Sequence, residues 1–303
     1  MLVIVVIKQI MISFLLMVTG AVSYKGKILS SENGKAVSNF ILTFVSPALI
    51  LDACQISYSR ELFTNLVWAF GLSIVTYIVS ILFSQILFRK NKRDYNIERF
   101  STVYTNCGFI GIPLVQALYG AEGVLYMTSY IAVFNILLWT HGVICMSEKM
   151  DKKQLISIAK SPTIYAIIIG ITSFCLQIQY PEVIAKTLEY IASLNTPLAM
   201  IVAGISVMQS DIIGALKNKR VYMYSFLKML LIPFITMLIL KLFPVSEALK
   251  VIITIAASCP VGASVIMFAI RYHKNEEYGA ELFAVTTVFS FATMPFLIAL
   301  CTM

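Results

Sequence analysis

Apolar residues come along this chain in long blocks, with short polar runs between them. The blocks cover roughly residues 2–23, 36–54, 62–88, 99–119, 123–146, 161–179, 184–208, 220–242, 247–270 and 278–302. Each is close to the ~20 residues an α-helix needs to cross a hydrocarbon core of ~30 Å. The pattern predicts an all-α membrane protein with ten transmembrane helices. The longest hydrophilic pieces, residues 24–35, 89–99 and 147–160, are too short to hold a soluble domain. Residues 2–22 imitate a signal peptide, with Ala21-Val22-Ser23 in the place of a cleavage site. Their start is apolar rather than basic, so they read as the first span.

The fourth block breaks this uniformity. Its centre runs Tyr104-Thr105-Asn106-Cys107-Gly108-Phe109-Ile110-Gly111-Ile112-Pro113-Leu114. Pro113 has no N–H and clashes with the carbonyl four residues back. In lipid every backbone polar group needs a partner, so such a break is tolerated only where the backbone is buried in protein or lines a cavity. The ninth block has a counterpart, Ser258-Cys259-Pro260-Val261-Gly262-Ala263-Ser264. Pro47 in block two and Pro197 in block seven form a second matched pair, readable as packed kinks or as further breaks. Pro47 to Pro113 is 66 residues and Pro197 to Pro260 is 63, so the halves repeat at offsets of 150 and 147. The expected units are residues 1–160 and 161–303, five spans each. An odd number of spans inverts the second repeat, and broken helices at matching positions of inverted repeats point to a transporter site.

Charge supplies the orientation. Seventeen of the lysines and arginines fall in the loops after spans one, three, five, seven and nine, against four (Arg60, Lys186, Lys241 and Lys250) around the others. The positive-inside rule puts the first set in the cytoplasm and both termini on the other side of the cell membrane. Spans four and nine then run in opposite directions, with their prolines near mid-bilayer. Proline suits the first turn of a helix, so each is expected to open the second half of its broken span. The two half-helix N-termini, each carrying partial positive charge, would meet at the midplane and favour an anion. Asn106, Ser258 and Ser264 could add hydrogen bonds, with Gly108, Gly111, Pro113 and Pro260 shaping the backbone. Asn135 is a candidate partner for crossover backbone, and Asn195 a candidate wall residue.

Three charges inside spans matter here, and Lys8, near the end of its span, is expected to snorkel. Lys228, five residues before Pro233, would brace the crossover or meet a substrate anion, unless it snorkels. Asp52 reads as a headgroup-level carboxylate, with proton coupling the sharper alternative. Composition fits this picture: 59% of the 303 residues are hydrophobic and 13% charged. The net charge of +8 belongs to loops rather than to a basic face, so nucleic acid is not an expected partner. The six cysteines form no CxxC pair, and no nucleophile–base, metal or nucleotide motif occurs. No cofactor, no metal and no enzyme activity are expected.

The stretch Asn106–Leu114 resembles the first crossover of the auxin efflux carrier family, bacterial members included. The turn Gly120-Ala121-Glu122-Gly123, Lys228 ahead of Pro233, Ala257-Ser258-Cys259-Pro260 and Thr293-Met294-Pro295 extend the resemblance over essentially the whole chain. The resemblance implies two inverted five-helix repeats, similar to the bile-acid and sodium/proton antiporter folds. Spans 1, 2, 6 and 7 would form a dimerising scaffold, and spans 3–5 and 8–10 an elevator-like transport domain. It also implies a carrier of small organic anions such as carboxylates, with a proton or sodium as possible coupling ion. The long cytoplasmic loop of the plant carriers is reduced here to residues 147–160, so its regulation is not implied. A sodium-coupled bile-acid-type symporter and an anion channel are the alternatives.

Overall fold

The computed structural model describes residues 2–89, 95–147, 161–210, 212–215 and 217–301. Lys90, Lys92 and Arg93 of one expected basic loop, and Lys149, Lys152, Lys153 and Lys160 of another, lie outside them. The described residues form helices and connecting turns, with a single isolated β-bridge. The first half contains α1 (Leu2–Lys25), α2 (Ser31–Phe40), α3 (Ser46–Ala53), α4 (Arg60–Leu87), α5 (Asn96–Val103), α6 (Ile112–Leu137) and α7 (Val143–Ser147). The second contains α8 (Pro162–Leu176), α9 (Glu182–Ser193), α10 (Asn195–Gln209), α11 (Ile212–Ala215), α12 (Lys219–Phe226), α13 (Ile232–Leu240), α14 (Glu247–Ser258), α15 (Ser264–Arg271) and α16 (Glu276–Cys301).

Four π-helical segments, Ile41–Val45, Cys107–Gly111, Leu138–Gly142 and Leu227–Leu231, join some of these helices without a break. Three sit directly ahead of a proline, and the reason is steric. A proline ring clashes with the carbonyl four residues back. Widening the preceding turn moves that carbonyl aside. The N–H just before each proline accordingly reaches five residues back: Ser46 to Ile41, Ile112 to Cys107, and Ile232 to Leu227. Pro47, Pro113 and Pro233 are thereby held within continuous helices.

Among the described residues, seven stretches are long and apolar enough to cross a membrane, where ten were expected. The difference lies in three places. Cys107–Ser147 runs for 41 residues, about 60 Å if straight and twice the hydrocarbon thickness. It is not straight. Gly120 adopts φ +58° and ψ −146°, a conformation that glycine tolerates best. The Tyr104 hydroxyl donates to the Leu137 carbonyl at 2.8 Å, although 33 residues of straight helix would separate them by about 50 Å. The chain therefore doubles back, and Gly120 lies at the midpoint. Second, α8 has only 15 residues. Third, the apolar block at 247–270 is divided into α14 and α15 by the extended residues around Pro260.

The packing has the polarity of a lipid-embedded bundle. Along α4, Ser73, Thr76, Ser80 and Ser84 are buried, while Val67, Ile74, Ile78, Leu82 and Ile86 are exposed. Small polar residues permit close interhelical approach, and the large apolar ones face outward. The tightest crossing joins α1 to α10. A Cβ on Gly20 would lie 2.1 Å from the Ile201 carbonyl oxygen, and one on Gly204 would lie 2.0 Å from that of Met17. No side chain fits at either position, so the two backbones touch. α8 packs on α3, and α9 also meets α3. Substituting Gly204→Val should force this crossing apart at a cost of about 1–3 kcal/mol. The thermal midpoint of the detergent-purified protein should fall by several degrees, and an unchanged midpoint would disprove the close approach.

Candidate functional site

The two interrupted helices meet at their breaks. α5 ends at Val103 and the chain turns extended through Tyr104 and Thr105, then helix resumes at Cys107. α14 ends at Ser258, and helix resumes at Ser264. Thr105 and Val261 face each other as an antiparallel bridge. Asn106 N–H donates to the Pro260 carbonyl at 2.7 Å, and Gly262 N–H donates to the Tyr104 carbonyl at 3.1 Å. Each break thus supplies the hydrogen bonds the other lacks, which answers the rule that buried backbone polar groups must be paired.

The helix ends beside the bridge are satisfied by side chains. The Thr105 hydroxyl donates to the Ala256 carbonyl in the last turn of α14 at 3.1 Å. Lys228 Nζ donates to the Thr102 carbonyl in the last turn of α5 at 2.9 Å. Lys228 is 1% exposed. A cation at a helix C-terminus opposes the partial negative charge there, so Lys228 serves as a brace for α5. The Val261 N–H is taken by the Thr286 hydroxyl of α16 at 3.1 Å. Tyr104, fully buried, anchors the first break through its hydroxyl to Leu137 and to His141 Nδ1 at 3.0 Å. His141 thereby packs on the crossover.

The beginnings of the second half-helices are arranged differently. No side chain caps the helix that starts at Cys107, and none caps α15. The Asn106 amide Nδ2 is buried without a hydrogen-bond partner, and so is the Ser264 hydroxyl. The Gly262–Ser264 turn lies against Thr105: a Cβ on Gly262 would be 3.1 Å from Ser264 Oγ and 3.2 Å from the Thr105 carbonyl oxygen. Gly108, in the first turn after Asn106, would meet nothing within 4 Å if it carried a Cβ. Gly111 is closely packed, with Met127 and Cys259 against it. One side of this helix start is therefore open and the other is sealed.

Several expected positions are corrected. The prolines do not open the second half-helices. Pro113 lies six residues beyond Cys107, after the π-turn that accommodates it, and Pro260 lies in the extended segment ahead of α15. Ser258 is fully buried, but its hydroxyl donates to Ile255 in its own helix at 3.0 Å. The Asn135 amide donates to the Ile131 carbonyl at 2.8 Å, so it satisfies its own helix and not the crossover. Asn195 opens α10, completely buried, with neither amide atom partnered. The π-turn at Cys107–Gly111 packs on α10, where Phe109 shares an apolar cluster with Ala199, Met200 and Val202. The two threonine hydroxyls that hold the bridge, Thr105 and Thr286, escaped the sequence reading. Thr105 adjoins Asn106 in the motif, whereas nothing local marks Thr286.

A paired break of this kind inside an apolar bundle is transporter architecture. The sequence profile described as membrane transport protein matches residues 5–298. The chain belongs to that family, the auxin efflux carrier family. It is a membrane transporter with several membrane-crossing helices. It is also similar to the uncharacterized transporter MJ1031 of Methanocaldococcus jannaschii, 22% identical over 297 residues and covering 93% of this chain and 94% of that one.

For this transporter the brace is testable. Lys228→Met leaves the Thr102 carbonyl without its donor, a loss of about 1.5–3 kcal/mol for a charged hydrogen bond. The thermal midpoint should fall by several degrees, whereas Lys241→Met, at an exposed helix end, should leave it in place. Equal midpoints for all three proteins would remove Lys228 from this role.

Proposed function

We propose that the protein is a secondary carrier of small organic anions, carboxylates above all, and that the anion binds at the open side of the crossover. The observation that carries this reading is the pair of uncapped half-helix starts, at Cys107 and Ser264, beside the unpartnered Asn106 amide and Ser264 hydroxyl. Helix N-termini favour negative charge, and neutral donors in a water-poor site fix a carboxylate without a bound counter-cation. In this reading Asn106, Gly108 and Ser264 contact the anion. Gly111, Pro113, Ser258 and Pro260 shape the backbone, Lys228 braces it, and Asn195 faces it from α10.

The carrier has ten passes in two inverted five-helix repeats, residues 1–160 and 161–303, in the cell's inner or plasma membrane with both termini outside. Two exchanges of partner support the repeat: the first pass, α1, packs on α10 of the seventh, and α8, the sixth, packs on α3 of the second. These four passes form the scaffold and, in a second copy, the dimer contact. The others form the moving domain, which carries the crossover past α1 and α10 and exposes the anion to each side in turn. Coupling, where it occurs, is to a proton or to sodium, and Asp52 is the carboxylate to examine first.

Flux of radiolabelled C3–C6 mono- and dicarboxylates into proteoliposomes tests the proposal. Wild-type protein should show saturable uptake of at least one of them. Asn106→Ala should lower it about tenfold or more, the value of one hydrogen bond to a charged group. Saturable uptake that Asn106→Ala leaves unchanged would overturn the site, and non-saturating conductance in a planar bilayer would make the protein a channel. Imposing and removing a sodium gradient separates the symporter reading from the uncoupled one.

A further inference from the structure

The first helix carries two polar side chains at membrane depth that no described residue satisfies. Gln9 and Ser13 lie four residues apart on one face of α1, and Ser13 sits at the middle of that helix. Hydroxyls within these helices ordinarily bond back to their own backbone, as Thr19 does to Leu15 at 3.0 Å and Ser73 to Ala69 at 2.6 Å. Ser13 is 9% exposed, yet neither it nor the half-buried Gln9 makes a hydrogen bond to a described residue. An unpaired amide and an unpaired hydroxyl are costly in hydrocarbon. Polar groups inside spans mark substrate pathways.

Both side chains line a cavity of about 20 Å³ between α1, α10, α16 and the helix that starts at the crossover. That helix contributes Ile110 and Leu114, α10 contributes Met200, and α16 contributes Ser290. Ile110 N–H donates to the Asn106 carbonyl at 3.0 Å. The cavity therefore begins one helical turn, about 5 Å, beyond the residue whose amide is left over at the crossover. Ser290 donates its proton to the Thr287 carbonyl at 2.6 Å and keeps its lone pairs as acceptors. The remaining wall is apolar, and no charged residue lines the cavity. Lys8, next to Gln9, is exposed and does not reach it. The space holds about one water. It lies on the boundary between α1 and α10 on one side and the crossover's own helices on the other.

We infer that Gln9 and Ser13 form the scaffold half of the anion site and set its specificity, an inference that rests on the carboxylate reading above. The crossover holds the carboxylate. To the far end of the same molecule α1 presents an amide and a hydroxyl, with the Ser290 oxygen opposite. A second negative charge here would be buried without a cation, so the matching group is neutral, a hydroxyl or an oxo oxygen. The site thus selects short hydroxy- or oxo-carboxylates over dicarboxylates. It also selects them over plain alkanoates, which leave the amide and hydroxyl of α1 unpaired. At its present volume the cavity admits no acid, and movement of the crossover helices past α1 opens it.

The test is uptake into proteoliposomes of four-carbon acids that differ in their polar groups: the hydroxybutyrate isomers, oxobutyrate, butyrate and succinate. At subsaturating concentration the wild type should take up at least one hydroxy or oxo acid about tenfold faster than butyrate or succinate, the value of one or two hydrogen bonds. Gln9→Leu and Ser13→Ala should each cut that preference over butyrate about threefold or more. Asn106→Ala should lower uptake of every acid and keep the preference. Neither α1 variant should lower the thermal midpoint in detergent, because neither side chain has a partner to lose. A preference unchanged in both variants, or a wild type that favours butyrate or succinate, would overturn the assignment and leave the carboxylate reading in place. No saturable uptake of any acid by wild type would overturn that reading and this inference with it. If Gln9→Leu fails to fold, Ser13→Ala, which removes a single oxygen, decides alone.

Discussion

An unpaired backbone polar group in a membrane interior costs several kcal/mol, and the structure depends on how two broken helices escape that cost. Neither the Tyr104–Asn106 break nor the Cys259–Ala263 break is tenable alone. Placed against each other, they exchange two backbone hydrogen bonds through Thr105 and Val261. Thr105, Lys228 and Thr286 supply further partners. The pairing fixes the position of the interruptions, and this frees the helix starts that follow them. Those starts leave the Asn106 amide and the Ser264 hydroxyl over as donors.

The same requirement explains the π-turns. Pro47, Pro113 and Pro233 could each break a helix, yet each follows a widened turn whose N–H reaches five residues back. At Pro260, by contrast, no widened turn precedes the proline and the helix opens, while Pro295 lies inside α16. At Leu227–Leu231 the π-turn also contains Lys228, so the segment that absorbs Pro233 presents the cation that braces α5.

Along α4 the inward side is more polar than the outward side, and this sets how the helix packs. Serines and threonines of α4 turn inward and hydrogen-bond to their own helix, as Ser73 does to Ala69. Glycines set the α1–α10 contact, where Gly20 and Gly204 bring backbone against backbone. Charges buried away from the crossover are paired: Glu98 lies under Arg220, between tyrosine rings. Small residues bring backbones close, and closed polar networks pair the charges that are buried.

Much of this was legible in the residues themselves. Apolar blocks of spanning length, the basic loops and the polar run at Asn106–Leu114 depend only on local composition, and they were enough to place a helical membrane transporter with two interrupted segments. Matching offsets between prolines identified Pro260 as the partner of Pro113. What local pattern could not resolve was direction and partnership. Asn135 and Ser258 look available for a ligand, but each hydroxyl or amide is bound within its own helix. Pro113 looks like a helix start, but the π-turn before it moves the start to Cys107. Thr286, Glu98 and Arg220 carry no motif, because their significance comes from helices more than a hundred residues away in one case and 25 in another. The sequence by itself determined where the backbone must break, because proline and glycine act on their immediate neighbours. Only the tertiary structure decided which buried polar groups are satisfied, because in a membrane interior the donors and acceptors that remain are met by other segments of the folded chain.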